Sequence, residues 1–395
     1  MKSKKYGSNL NSGDNTMHYM KHNYWDGKPI SPIPLAGNMT VTELVDDVFD
    51  AMGYNAKRLA EACHLFKTMI DNNSTVCLTL AGAMSPVGMG GGIIKMIERG
   101  FIDWIVTTGA NTYHDMHFAY KLPVHQGDYT ADDNELADND VVRIYDVYID
   151  MQRTLIAQDK IVQALTQKAI EKNKFPKKFS SAHYYKTLGE GILETANAPE
   201  LSFIASASKN DIPVFVPAFA DSSVGMGTSY LPIIACAKSG SKELDPLDFM
   251  DPSPTMDVLE SAAIVYHSMM EDIPRGVLEV GGGVPKNFLQ QTAPTISQIL
   301  GMECPGENYV IQVTVDRPDV GGLSGATINE GKSWGKIPKA GEGNVIPYID
   351  ATVGVPIIFA YALENCKPRK PKRISRKLPE IRQELVEAAM ENVKK

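Results

Sequence analysis

Thr75-Val76-Cys77-Leu78-Thr79-Leu80-Ala81-Gly82-Ala83-Met84-Ser85-Pro86-Val87-Gly88-Met89-Gly90-Gly91-Gly92 is the stretch whose reading decides the fold. Its first six residues form a short apolar run suited to a buried strand, and a glycine-rich turn follows. Ile93 to Arg99 then resumes at helical spacing. The same design recurs along the chain. Ile102 to Thr108 leads into Gly109-Ala110-Asn111, and Ile212 to Pro217 precedes Asp221-Ser222-Ser223-Val224-Gly225. Gly276 to Val280 runs into Gly281-Gly282-Gly283, and Tyr309 to Thr314 is a further strand. A last strand is expected over Val345 to Asp350, leading into an apolar helix over Val355 to Leu363. Strand, glycine turn and helix in repetition specify α/β architecture: a single large doubly wound, mostly parallel sheet with helices on both faces. Ligands in such sheets sit at the carboxyl ends of the strands, where each of these glycine clusters falls.

Outward from this core the pattern loosens. Residues 1–35 are polar and irregular, closed by Pro29, Pro32 and Pro34, and are expected to form an N-terminal arm. Thr40 to Asp71 reads as helix with a break at Gly53. Asp128 to Ala198 is more polar and reads as a mostly helical insertion. Its acidic cluster (Asp132, Asp133, Glu135, Asp138, Asp140) is expected to be a solvated face. Residues 36–366 would then be the main domain. Residues 367–395 would be a basic C-terminal tail and helix, read as solvated or intersubunit.

With 395 residues the chain is long enough for a sizeable core. A formal net charge of −8 argues against nucleic acid as a partner and favours cationic ligands. No run approaches the ~20 apolar residues of a membrane span, and the basic start lacks the apolar core of a secretory signal. Cys63, Cys77, Cys236, Cys304 and Cys366 are widely spaced and show no metal-ligand spacing. They read as reduced and mostly buried in a cytoplasmic protein. His18 and His22 lie in the arm without a third ligand, and His114 and His117 share a helical face but are joined by no further ligand. No metal site is expected.

A second stretch carries chemistry: Asn329-Glu330-Gly331-Lys332-Ser333-Trp334-Gly335-Lys336-Ile337. A lysine is nucleophilic when burial frees its amine of a proton, a tryptophan face suits a cation or an alkyl chain, and a glutamate can hold an ammonium. This segment resembles the active-site signature of deoxyhypusine synthases, and the resemblance extends from about Thr40 to Tyr361. It implies a Rossmann-like NAD site and a homotetramer with active sites between paired subunits. It also implies NAD-dependent transfer of an aminobutyl group from a polyamine such as spermidine to an acceptor amine, through an imine on Lys336. By the same resemblance Glu330, Trp334 and Asn287 contact substrate. Ser85, Thr108, Asp221, Gly281, Gly283, Ser324 and Asp350 contact NAD.

The sequence departs from the family pattern at four places. Asn287 stands where the family has a histidine, and Met226 and Leu323 stand where it has acids. His114 replaces a glutamate on the NAD side. A buried ammonium without a carboxylate is costly, so the departures favour the same chemistry with a different amine. Asn287 also suits a helix cap, and Lys286 and Lys332 are expected to face solvent. Three functions follow: aminobutyl transfer to a protein lysine; transfer to a small amine, as in a homospermidine synthase or an agmatine-using enzyme; or a non-catalytic NAD-binding protein.

Overall fold

The computed structural model describes residues 27–244, 252–338 and 343–393. The first 26 residues of the expected arm, with His18 and His22, lie outside them. Six parallel strands form the central sheet: β1 (Thr75–Leu80), β2 (Trp104–Thr107), β6 (Val214–Phe215), β7 (Arg275–Val280), β8 (Tyr309–Val313) and β9 (Gly343–Val345). Their order is β6-β2-β1-β7-β8-β9. The chain builds outward from β1 to one edge, then returns beside β1 as β7 and builds to the other edge. The gap between the ends of β1 and β7 is therefore the point where the winding reverses, and a ligand crevice belongs there.

Both faces of the sheet are buried, as the unbroken apolar runs require. Val76, Leu78 and Leu80 of β1 pack in one core with helices Tyr54–Asp71, Gly90–Glu98 and Ala351–Asn365. Cys77, Val277 and Val310 point the other way, into a core closed by helices Pro254–Met270, Gly283–Gln290 and Ile374–Val393. The doubly wound α/β sheet is therefore present. Among the described residues no helix is long and apolar enough to cross a membrane. All five cysteines are free, and Cys63, Cys77 and Cys366 are buried.

Several local expectations are corrected. The edge strand β6 is limited to Val214–Phe215 because Pro213 and Pro217 flank it and proline donates no ladder bond. The last strand is displaced toward the N-terminus. Pro347 interrupts it, only a bridge between Thr314 and Tyr348 continues the pairing, and the following helix already starts at Ala351. The insertion is not mostly helical at its start. It carries β4 (Val141–Ile144) and β5 (Val147–Asp150), which form a three-stranded antiparallel sheet with β3 (Val124–Gln126) just before it, in the order β3-β5-β4. Its acidic cluster is exposed, as expected, with Asp133 paired to Arg143.

The basic segment after Cys366 is anchored by some of its side chains, while Lys367, Lys370 and Arg373 stay exposed. Arg369 spans the amino-terminal edge of the sheet, donating to Gly100 O at 2.8 Å and Ser74 O at 3.0 Å, and it pairs with buried Asp103 at 3.2 Å. Lys372 donates to Asn73 O at 2.7 Å, and Arg373 pairs with Asp211 at 2.8 Å. Ile374, Leu378, Ile381 and Leu385 of the last helix are buried against the sheet's second core. One helical stripe of apolar residues accounts for this docking.

Candidate functional site

Two adjoining cavities open at the carboxyl edge of the sheet. The first, of ≈ 300 Å³, sits at the winding reversal. Ala81 and Gly82 from the end of β1 line it, together with Gly281, Gly282 and Gly283 from the end of β7. Ser324, Asp316 and Asp350 close the side beyond β8. The triple glycine is demanded by geometry. Gly281 and Gly283 have φ of +74° and +56°, a region open to glycine. A Cβ on Gly282 would lie 2.3 Å from Ser324 Cα. Asp350 caps helix Ala351–Asn365, its Oδ1 accepting from Thr352 N at 2.8 Å.

Gly281, Gly283, Ser324 and Asp350 are thus gathered around one cleft, and the other residues of the expected NAD set are placed differently. Thr108 stands at its edge, capping helix Gly109–Ala119 and donating to Gly82 O at 2.6 Å. Ser85 is fully buried, its hydroxyl donating to Asn111 O at 2.7 Å, and it does not line the cleft. Asp221 is exposed on the loop after β6, away from the cleft wall. Gly92, within helix Gly90–Glu98, serves packing, since a Cβ there would lie 3.0 Å from the Phe359 ring.

The second cavity, of ≈ 290 Å³, brings Asn287, Leu323, Glu330, Trp334 and Lys336 together. The two cavities share the wall where Leu323 meets Ser324 and the helix Gly283–Gln290 that begins in one and ends in the other. Lys336 is held through its backbone. Its N–H donates to Gly331 O at 2.9 Å and its carbonyl accepts from Glu307 N at 3.1 Å. Gly306, at φ +84°, passes so close that a Cβ there would sit 2.1 Å from the same carbonyl. Lys336 Nζ lies 5.8 Å from the centroid of the Trp334 ring, within cation–π range. Burial lowers its proton affinity, and nearby Glu279 opposes that effect.

Glu330 is exposed, its Oε1 accepting from Thr327 N at 3.1 Å and Thr327 Oγ1 at 3.0 Å. Those bonds hold its carboxyl below the ordinary glutamate value. Asn287 is not a helix cap: Gly282 occupies that position, and Asn287 lies inside Gly283–Gln290, on the cavity wall. Leu323 contributes an apolar wall, whereas Met226, on helix Ser223–Ser229, is 64% exposed and outside this cavity. His114 lines neither cavity, and its Nδ1 lies 2.9 Å from His117 Nε2. Burial pushes His114 down to about 4, so the pair is neutral. Among the described residues no group of His, Cys, Asp and Glu is arranged to hold a metal.

Lys286, expected to face solvent, is buried behind the second cavity. Its Nζ donates to Gln312 Oε1 at 2.9 Å and Ala326 O at 2.6 Å, and lies 4.0 Å from Glu279 Oε2. Gln290 Nε2 donates to Glu279 Oε1 at 2.7 Å. The sequence carried a signal for this cluster. Glu279 and Gln312 interrupt two otherwise apolar strands, and a charge inside a buried strand requires partners.

A family model for deoxyhypusine synthase matches residues 43–362. A deoxyhypusine synthase-like protein of Cyanothece sp. is 37% identical over 371 residues, covering 90% of this chain and 87% of the relative. "Probable deoxyhypusine synthase 2" of Methanosarcina acetivorans is 38% identical over 358 residues, covering 90% of this chain and 95% of the relative. The fold is similar to a crystal structure from Entamoeba histolytica, described as a "putative deoxyhypusine synthase". The TM-score is 0.50 at 14% identity, covering 84% of this chain and 96% of that one.

Proposed function

Because the chain belongs to the deoxyhypusine synthase family, we propose that it is an NAD-dependent transferase that moves an aminoalkyl group from an amine donor to an acceptor amine through Lys336. One observation carries the reading: a single cavity joins Lys336, Trp334, Glu330 and Asn287 and shares a wall with the glycine-lined cleft.

The cleft fits a dinucleotide. Three glycines and Ala81 leave backbone open to close approach, and helix Gly283–Gln290 begins there with its free N–H groups. Gly281, Gly283, Ser324 and Asp350 would hold NAD, with Thr108 at the edge; Ser85, whose hydroxyl is already bonded, would shape the turn. NAD bound there would take a hydride from the amine and return it at the end of the cycle.

The chain's own part begins with Lys336. Its half-buried amine must be neutral to attack. Nζ bonds to the oxidised carbon of the donor while that carbon's bond to the departing amine breaks, and the departing amine leaves with the proton. The acceptor nitrogen then bonds to the same carbon and the carbon–Nζ bond breaks. Trp334 flanks the alkyl chain. Glu330, held by Thr327, offers its second carboxylate oxygen to an ammonium. Asn287 hydrogen-bonds but cannot titrate. With Leu323 at the wall, the cavity lacks an acid that would help to hold a long polyamine. This favours a small amine such as agmatine or putrescine over spermidine.

Trapping tests the reading. The protein is incubated with NAD and, separately, spermidine, putrescine or agmatine, then reduced with borohydride and mapped by mass spectrometry. The expected result is an aminoalkyl adduct on Lys336 with one donor and no adduct in Lys336→Arg. Saturable NAD binding without an adduct from any amine would move the reading to a non-catalytic NAD-binding protein.

A further inference from the structure

Behind the cavity that holds Lys336 lies a buried polar row. Thr79, Glu279 and Gln312 stand in register on neighbouring strands β1, β7 and β8. Helix Gly283–Gln290 lays Lys286 and Gln290 across it, both bonded to the row. Glu279 is 0% and Lys286 2% exposed. Such a charge pair is expensive to bury and adds little stability compared with apolar residues of the same volume. Two of its polar atoms, Glu279 Oε2 and Thr79 Oγ1, have no hydrogen-bond partner. Gln290, which bonds Glu279 Oε1 at 2.7 Å, lines the same cavity as Lys336, so the buried carboxylate stands one side chain behind that amine.

We propose that Glu279 and Lys286 form a buried positioning pair for Lys336: Glu279 holds the proton on the Lys336 amine, and Lys286, 4.0 Å from Glu279 Oε2, keeps Glu279 charged. The proposal rests on Lys336 being the nucleophile. The pair meets the cavity wall through Gln290 and through Ala326, whose carbonyl accepts from Lys286 Nζ, and neither Glu279 nor Lys286 lines the cavity itself. The other charged groups packed around the site are few. Glu307 and Arg275 lie on the amino-terminal side of the row, Glu330 stands across the cavity beside Thr327, and Cys77 lies beneath on β1. Glu307 and Glu279 repel, and both are pushed up to about 7 by burial. As pH rises through that value Glu279 gains its charge and tightens the proton on Lys336.

The test reads Lys336 directly and needs neither NAD nor an amine. Full-length protein is labelled with acetic anhydride across pH 6–10, and Lys336 acetylation is measured by peptide mass spectrometry against exposed lysines. Glu279→Gln keeps the bond to Gln290 and removes the charge. It should raise Lys336 labelling about threefold at pH 8 and move its half-labelling point to lower pH. Lys286→Met removes the cation that keeps Glu279 charged and should move Lys336 labelling in the same direction by a smaller factor. A near-ultraviolet spectrum matching wild type shows that each variant is folded. If Lys286→Met does not fold, Glu279→Gln alone decides. A folded Glu279→Gln protein with an unchanged Lys336 profile overturns the proposal. Failure of borohydride trapping with an altered labelling profile would instead remove the transferase reading and leave the pair's hold on Lys336 standing.

Discussion

Individual residues at the glycine cleft separate two reasons for a glycine. Gly282 is required by contact, because its Cβ would meet Ser324 Cα at 2.3 Å. Gly283 is required by conformation alone, with φ +56° and nothing within 4 Å of a Cβ. Gly283→Ala should therefore fold at a cost of about 1–2 kcal/mol, seen as a lower urea midpoint. Gly282→Ala must displace the Ser324 segment, so NAD binding measured by fluorescence titration should fall by more than tenfold even in the fraction that folds. Equal effects of the two variants would show that the close approach to Ser324 does not matter. Lys336, Trp334 and the triple glycine were legible in the sequence because chemistry and backbone geometry restrict those residue types. Lys286 was not, since one lysine in an amphipathic helix looks like any other until the helix is docked.

Among the elements, the C-terminal segment departs most from its sequence reading. A run of lysines and arginines resembles a solvated tail, yet here it neutralises acids at the amino-terminal edge of the sheet. Asp103 is 2% exposed, its Oδ1 has no partner, and Arg369 is its direct ion-pair partner. Arg369→Ala should cost about 3–5 kcal/mol, because a buried carboxylate loses its counter-charge. Arg373→Ala should cost less than about 1 kcal/mol, because Asp211 keeps Lys186 and Arg376 and the Arg373 side chain is 44% exposed. Chemical denaturation of both variants checks the contrast, and similar losses would mean that the tail contributes through its helix alone. The small sheet over β3, β4 and β5 was partly readable. Val147 to Asp150 alternates in a period of two, but the run is only four residues long and Val141 to Ile144 does not alternate, so the signal was weak.

At the scale of the whole molecule, the mouth of the Lys336 cavity is unusually apolar for a free surface. Trp334 is 62% and Leu323 48% exposed, both on the cavity wall, and Val320, three residues before Leu323, is 64% exposed. Large exposed apolar groups at a site mark contact with another surface. The expected occupant is a second copy of the chain, as the family resemblance implies. Light scattering coupled to size exclusion should give a tetramer, and Val320→Glu with Leu323→Glu should shift it toward smaller species. A monomeric wild-type protein would rule out the assembly.

The sequence by itself determined the α/β class, the positions of most strands and the lysine–tryptophan motif. These depend on local pattern: buried parallel strands are apolar on both faces, tight turns need glycine, and a nucleophile needs a particular side chain. Only the tertiary structure decided which glycine turns meet at the reversal between β1 and β7, that Ser85 is committed to Asn111, and that Glu279 and Lys286 lie behind Lys336. Those facts depend on strand order and helix docking. Both are set by burial summed over residues far apart in the chain, which no local pattern encodes.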